Sequence, residues 1–306
     1  MEVPAIGSTA RTSRGAKTGR SIQWSYTLIS WLGLAPFLLF CLLFELLPAL
    51  VIIQSSFSDD KGTPTLNNYQ RMLSQPGTIQ AFQTSISLSL VTALIGAIFG
   101  FLAAYGIYNL RISWLRNFLI GFSSIAANFS GIPLAFAFIS TLGVTGFVTV
   151  LLHTWFHLNL YDLGFSLYKF WGLALAYIYF QIPLMILVTI PALNALRPEW
   201  REAATNLGAS TFIYWRKVAL PVLMPSLVAG AMLLFANSFG AFATAYALAQ
   251  GSINLVTILV SFAVAGDVSM DLGLGNALAG GMIVVLLIAV TLYTTMLRRA
   301  NTWQGR

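Results

Sequence analysis

Six long apolar runs, at 26–53, 83–109, 118–142, 168–194, 221–245 and 272–296, dominate this chain and leave it few ways to fold. Each exceeds the roughly 20 residues an α-helix needs to cross the hydrocarbon core of a bilayer. No water is present in that layer, so backbone N–H and C=O groups must pair within the helix itself. Composition agrees: 58% of the 306 residues are hydrophobic and only 8% charged, where a soluble domain carries about a quarter charged. The expected fold is an all-α membrane protein with six transmembrane helices. The first run is too long for the apolar stretch of a signal peptide and reads as the first span.

The placement of basic residues sets the expected orientation. Thirteen Lys and Arg fall in the N-terminal tail, the second connection, the fourth connection and the C-terminal tail, against three (Lys61, Arg71 and Lys169) in the other connections. By the positive-inside rule both termini face the cytoplasm, and six crossings return the chain to its starting side. The expected organisation is a basic cytoplasmic tail at 1–25, a membrane domain at 26–297 with a cytoplasmic loop at 195–220, and a second basic tail at 298–306. The net charge of +7 is clustered between apolar runs, not interleaved with aromatics along a groove, so a nucleic-acid partner is not expected. The segment VTVLLHTWFHLNLYDLG is expected to lie in the membrane interface, and Asp267 and Asp271 bracket the last outer loop.

Most catalytic and cofactor chemistry finds no residues to carry it. Cys41 is the lone cysteine, so neither a disulfide nor a thiolate metal site is available. The stretch SRGAKTG lacks the glycine spacing of a phosphate loop, and no ATP site is expected in this chain. His153 and His157 stand at i, i+4, which suits either a metal or an interfacial pair; Asp162 is the one nearby acid that could complete a set, and an interfacial pair without metal is expected. No metal site and no catalytic residue is expected.

Other residues suggest packing or a path. Gly96 and Gly100 form a G-x-x-x-G pair that permits close helix approach. Pro133, Pro183, Pro191 and Pro225 mark bends whose freed carbonyls neighbours must satisfy. Glu45 is the one acidic residue inside a span; it either faces a cationic solute, reaches toward the interface, or pairs with a neighbouring subunit. Asn237, Ser238 and Thr244, with Phe235, Phe239 and Tyr246, either line a polar, aromatic path or bond between helices.

The segment EWREAATNLGASTFIYWRKVALP, 199–221, breaks the apolar pattern. Pro198 suits the first helical position. Glu199 and Glu202 favour the positive end of the helix dipole, and Ala203, Ala204 and Leu207 continue the turn. Gly208 ends that helix in a left-handed turn, and Ser210 caps a second one bearing Phe212, Ile213 and Trp215. Pro221 then leads into the fifth span. Such a knuckle either fills a groove on a soluble partner or lies along the membrane surface.

Spacing within this segment carries a resemblance. Glu202-Ala203-Ala204, Gly208 after three residues, and Val218-Ala219-Leu220-Pro221 after nine more resemble the EAA loop of ABC importer permeases, with Val218 in place of the commoner Ile. TPTLNNY before the second span and YFQIPLMILVTIPALNALRPEW before the loop are similar to the same family. The resemblance implies a type I importer permease in a bacterial inner membrane. It implies that Glu199, Glu202, Ala203, Ala204, Gly208, Leu220 and Pro221 couple to ABC ATPase subunits, which would hold the ATP and Mg. It further implies an extracytoplasmic solute-binding protein and a second permease, expected as a heterodimer with a homodimer as the alternative. The favoured solute is a polyamine or similar small amine; 2-aminoethylphosphonate, iron(III) and thiamine importers are the alternatives. Glu45, Phe235, Asn237, Phe239 and Tyr246 are the expected solute path. The rival class is an ion-coupled secondary carrier, which would follow an ion gradient and not ATP; a membrane-embedded enzyme lacks a catalytic set.

Overall fold

The computed structural model describes residues 33–59, 61–249, 251–265 and 271–304; the tail at 1–25, Asp267 and Arg306 lie outside them. The described residues through Gln54 form one compact unit and those from Ser55 onward a second. Helix α1, Gly33–Ser56, has a mean hydropathy of 2.5 and contains one π-helical turn at Leu42–Leu46. None of its residues up to Gln54 is buried, and Phe37, Phe40, Phe44 and Leu50 form an apolar surface suited to lipid.

Among the described residues the regular secondary structure of the second unit is all helix, apart from one isolated bridge between Ser58 and Pro64. It comprises α2 (Asn67–Ser74), α3 (Pro76–Tyr108), α4 (Ser113–Asn128), α5 (Ile132–Leu142), α6 (Phe147–Phe156) and α7 (Phe170–Asn194). There follow α8 (Pro198–Asn206), α9 (Thr211–Phe239), α10 (Ala243–Ala249), α11 (Val256–Ala265) and α12 (Leu272–Gln304). Among the described residues six helices are long and apolar enough to cross a membrane: α1, α3, Ile132–Phe156, α7, α9 and Leu272–Met296 of α12.

Three expectations need correction. The third span is not 118–142: the chain breaks between Asn128 and Ile132, and the spanning stretch is α5 with α6. The sequence NFSGIP makes the break, because Gly131 takes φ +77° and Pro133 restricts the residue before it. The segment expected along the interface accordingly supplies α6, which His157 ends in the left-handed region at φ +52°. The fifth span begins near Thr211 instead of at 221, since α9 runs through Pro221 without stopping. A π-helical turn at Trp215–Ala219 directly precedes Leu220 and Pro221, whose ring nitrogen has no N–H to donate to an i−4 carbonyl.

Small residues let the long helices close on one another. α3 packs on α7 and α9, with Gly96 and Gly100 at the crossing. A Cβ at Gly100 would lie 2.5 Å from the Met185 Cβ and 2.9 Å from the Ile182 carbonyl oxygen. Gly230 of α9 meets the Met185 sulfur from the other side. The G-x-x-x-G pair therefore sets the approach of α3 to α7.

At one end of the unit α2 lies across the start of α12. Asn68 donates to the Ser56 and Ser58 carbonyls at 3.4 and 3.0 Å and packs beneath Gly273. Arg71 pairs with Asp271, whose carboxylate also accepts the Leu274 N–H at 3.0 Å.

Candidate functional site

Two places in the second unit combine geometry and chemistry. The first is the 195–214 segment. Pro198 occupies the first turn of α8, with Glu199 beside it. The Ala209 N–H donates to the Ala204 carbonyl and the Gly208 N–H to the Thr205 carbonyl, both at 2.9 Å. That six-to-one and five-to-two pairing with Gly208 at φ +77° satisfies the last carbonyls of the helix. A Cβ at Gly208 would meet nothing within 4 Å, so only the backbone angle calls for glycine. Two residues later the Ser210 hydroxyl accepts the Ile213 N–H and starts α9.

Nearly everything on this knuckle is open. Glu199, Glu202, Ala203 and Gly208 are exposed, and Ala204 is half-buried. Leu207 is 87% exposed and Phe212 71%. Burying such side chains on a partner removes apolar surface from water, about 1.5–3 kcal/mol for a leucine. Leu207 and Phe212, which the sequence placed only among the residues of the two helices, stand out here by their exposure on either side of the tight turn at Gly208. Leu220 and Pro221 lie farther along, exposed on α9 past the π-helical turn.

The second place is a cavity of about 330 Å³ where two interrupted helices face each other. The 129–131 break and the 240–242 break are braced together. Gly131 N–H donates to the Thr244 Oγ1 at 2.8 Å, and the Tyr177 hydroxyl donates to the Ala241 carbonyl at 2.7 Å. Non-helical backbone at membrane depth is tolerated only where protein or a water-filled cavity satisfies it, and these bonds do that here. Asn237, Ser130 and Phe180 line the cavity beside the two breaks. The Asn237 amide has no hydrogen-bond partner among the described residues. No charged side chain lines the space, so charge alone does not select what enters it.

The expected path residues divide. Asn237 lines this cavity. Tyr246 lines an adjoining apolar one of about 440 Å³ with Ile132, Phe136 and Phe262. Phe235 is half-buried and stacks on Phe239, which is 2% exposed among Val256, Ala277 and Leu278. Phe239 therefore lines neither cavity and serves as core packing. Glu45 is exposed on α1, in the first unit. Ser238 is turned the other way from Asn237, into a buried polar cluster.

That cluster pins three spanning helices. Thr92 donates to the Leu88 carbonyl at 2.8 Å, so its one hydroxyl proton is committed. It therefore accepts from Gln181 Nε2 at 2.9 Å and from Ser238 at 3.1 Å. Gln181 is fully buried and its Oε1 has no hydrogen-bond partner. Gly96 lies against that oxygen, and a Cβ there would come within 3.0 Å of it. A polar group this deep in an apolar bundle specifies how helices register. As for the histidines, His153 and His157 are both exposed, and the described residues hold no group of three metal-ligating side chains.

The described residues thus form a helical membrane bundle with braced helix breaks and an exposed helix–glycine–helix projection. The family model of binding-protein-dependent transport system inner membrane components matches residues 96–302, and the chain belongs to that family. It is 26% identical over 261 residues to the spermidine/putrescine transport system permease protein PotC of Haemophilus influenzae, covering 83% of this chain and 92% of that protein. It is 31% identical over 216 residues to the sulfate transport system permease protein CysT of Salmonella typhimurium, covering 69% of this chain and 72% of that one. The fold is similar to a bacterial ABC transporter involved in the import of the acidic polysaccharide alginate, with a TM-score of 0.68 at 16% identity over 92% of this chain and 98% of that one. This chain is thus a permease subunit of an ABC importer, a multi-pass inner-membrane protein and a transport component, not an enzyme.

Proposed function

We propose that the 195–214 knuckle docks on a separate ABC ATPase, which binds the ATP and Mg, and that α9 carries its motion to the cavity. One observation carries this reading: a single continuous helix, Thr211–Phe239, starts at the exposed knuckle and ends at the Gly240 break beside Asn237. From Pro221 to Gly240 the axis advances about 28 Å at 1.5 Å per residue, close to the thickness of the hydrocarbon core. Glu199, Glu202, Ala203, Ala204 and Gly208 form the docking face, with Leu207 and Phe212 as its apolar anchors. Leu220 and Pro221, next to the π-helical turn, mark the compliant point of the rod. The knuckle faces the cytoplasm in this reading, in keeping with the excess of Lys and Arg on its side.

The proposed solute is a polyamine or similar small amine, delivered by an extracytoplasmic binding protein to a path shared with a second, non-identical permease. The spermidine/putrescine relative supports it by covering most of both chains, and Glu45 supports it as an acidic side chain within a spanning helix. Asn237 and Tyr246 supply neutral polar and aromatic contacts along that path, with Phe235 and Phe239 packed behind them. The test is uptake by proteoliposomes holding the whole transporter. Spermidine uptake that needs internal ATP and falls in Glu45→Gln is expected. Sulfate uptake in its place would overturn the solute while keeping the coupling; uptake driven by an ion gradient without ATP would overturn the coupling.

A further inference from the structure

A third cavity, of about 140 Å³, lies at the root of the knuckle, where the end of α3, the start of α8 and the start of α9 come together. Arg197 and Arg201 line it with Tyr105, Tyr108, Tyr214 and Trp215. Two guanidinium groups one helical turn apart face a common space that no acidic side chain enters. Among the described residues neither has an ion-pair partner; Arg197 sits over the Trp200 ring, 5.9 Å from its centre. Glu199 and Glu202, on the same helix, do not line the cavity.

The hydroxyls add a second, independent observation. Tyr214 is 8% exposed and lines the cavity, yet its hydroxyl has no hydrogen-bond partner among the described residues. The hydroxyls of Tyr105 and Tyr108 are likewise unpaired. The Tyr214 ring is buried but its oxygen is not sealed off, so the three hydroxyls stand open to water or to a ligand. The rings are held firmly for the purpose, Tyr105 edge-on to Trp215 with centres 4.9 Å apart. Arg197 is the N-cap of α8 and its side chain makes no cap bond, so its guanidinium is not tied to the helix end.

Planar guanidinium donors and phenolic donors together match a tetrahedral oxyanion. The position matches too. Three helix ends leave the apolar layer here, and Tyr, Trp and Arg are the side chains that favour the boundary between hydrocarbon and water. We propose that this cavity binds a phosphate group, carried by an acidic phospholipid headgroup or free in solution, and so fastens the root of the knuckle at the membrane boundary. The inference does not require that the knuckle docks on an ATPase.

Native mass spectrometry of the delipidated transporter tests it with three probes: phosphatidylglycerol, a diacylglycerol of the same chains, and inorganic phosphate. Retention of phosphatidylglycerol about tenfold tighter than diacylglycerol is expected, lost in the Arg197→Gln/Arg201→Gln variant and weakened about threefold in Tyr214→Phe, which removes one hydroxyl and leaves the packing. Phosphatidylglycerol that millimolar phosphate cannot displace assigns the site to lipid; phosphate that binds alone and displaces it assigns the site to the free ion. Equal retention of both lipids with no phosphate adduct would overturn the proposal. So would a double variant that keeps its lipid and phosphate but releases the ATPase, since the arginines would then serve a carboxylate of that partner. If the double variant does not assemble, loss in Tyr214→Phe decides for the site, and unchanged binding decides against it.

Discussion

The knuckle and the braced cavity differ in how they are built. At the knuckle every structural feature comes from neighbours within a few residues: Pro198 at a first turn, Gly208 in the left-handed region, Ser210 as a cap. At the cavity the defining bonds join residues far apart in the chain, Gly131 to Thr244 and Tyr177 to Ala241. A locally built element can present exposed apolar side chains without destabilising anything else. A cavity between broken helices stands only while distant parts of the bundle hold it, so its loss is felt throughout the fold.

The comparison can be broken most forcefully at the helix crossing. Gly100→Val drives branched methyls into the Met185 side chain and the Ile182 carbonyl, and overpacking of this kind costs about 1–3 kcal/mol or more. Loss of the monodisperse, folded protein in detergent, or a fall in melting temperature of several degrees, is expected; an unchanged melting curve would remove the glycine crossing from the account. The brace comes next. Thr244→Val leaves the Gly131 N–H without its acceptor and is expected to cost about 1–3 kcal/mol, lowering both the melting temperature and uptake.

At the knuckle the same kind of substitution has a different signature. Gly208→Val forces a β-branched residue to φ +77° in open space, a local cost of about 1–2 kcal/mol. ATPase co-purification is expected to drop about tenfold while the melting temperature of the permease stays within a degree or two. Leu207→Ser, at an 87% exposed position, is expected to leave stability unchanged and weaken ATPase binding severalfold. If either variant lost stability without losing the ATPase, the contrast between the two regions would fail.

The smallest effect is a pH dependence at the α2–α12 contact. Burial pushes the Asp271 carboxyl up, but the Leu274 N–H and the Arg71 guanidinium more than reverse that and leave it below the usual carboxylate range. A depressed carboxyl contributes stability above its unfolded value, about 3.9, and the contribution fades as pH falls through the lower folded value. Both side chains are substantially exposed, so the effect is small. The melting temperature of the wild type is expected to lose a little more than that of Asp271→Asn between about pH 5 and pH 3; parallel curves would show that the pair contributes nothing.

Much of this was legible in the sequence. Apolar run length determined that the chain is a helical membrane protein, because an unsatisfied backbone cannot exist in hydrocarbon. The spacing E-A-A to Gly208 to Leu220-Pro221 located the knuckle, because caps and left-handed turns are chosen by the residues that form them. Hydropathy hid the third span's true limits, since Phe129 and Ile132 are apolar enough to carry the run across a break that Ser130, Gly131 and Pro133 impose. Side-chain direction was decided by tertiary structure alone. Adjacent Asn237 and Ser238 look interchangeable in the sequence, yet one faces a cavity and the other bonds Thr92 in the core. Phe239 and Tyr246 part in the same way, because α9 ends before Gly240 and α10 restarts on a new axis. Local chemistry chose where helices stop and turn. Only the packing of distant helices decided which of their faces enclose space.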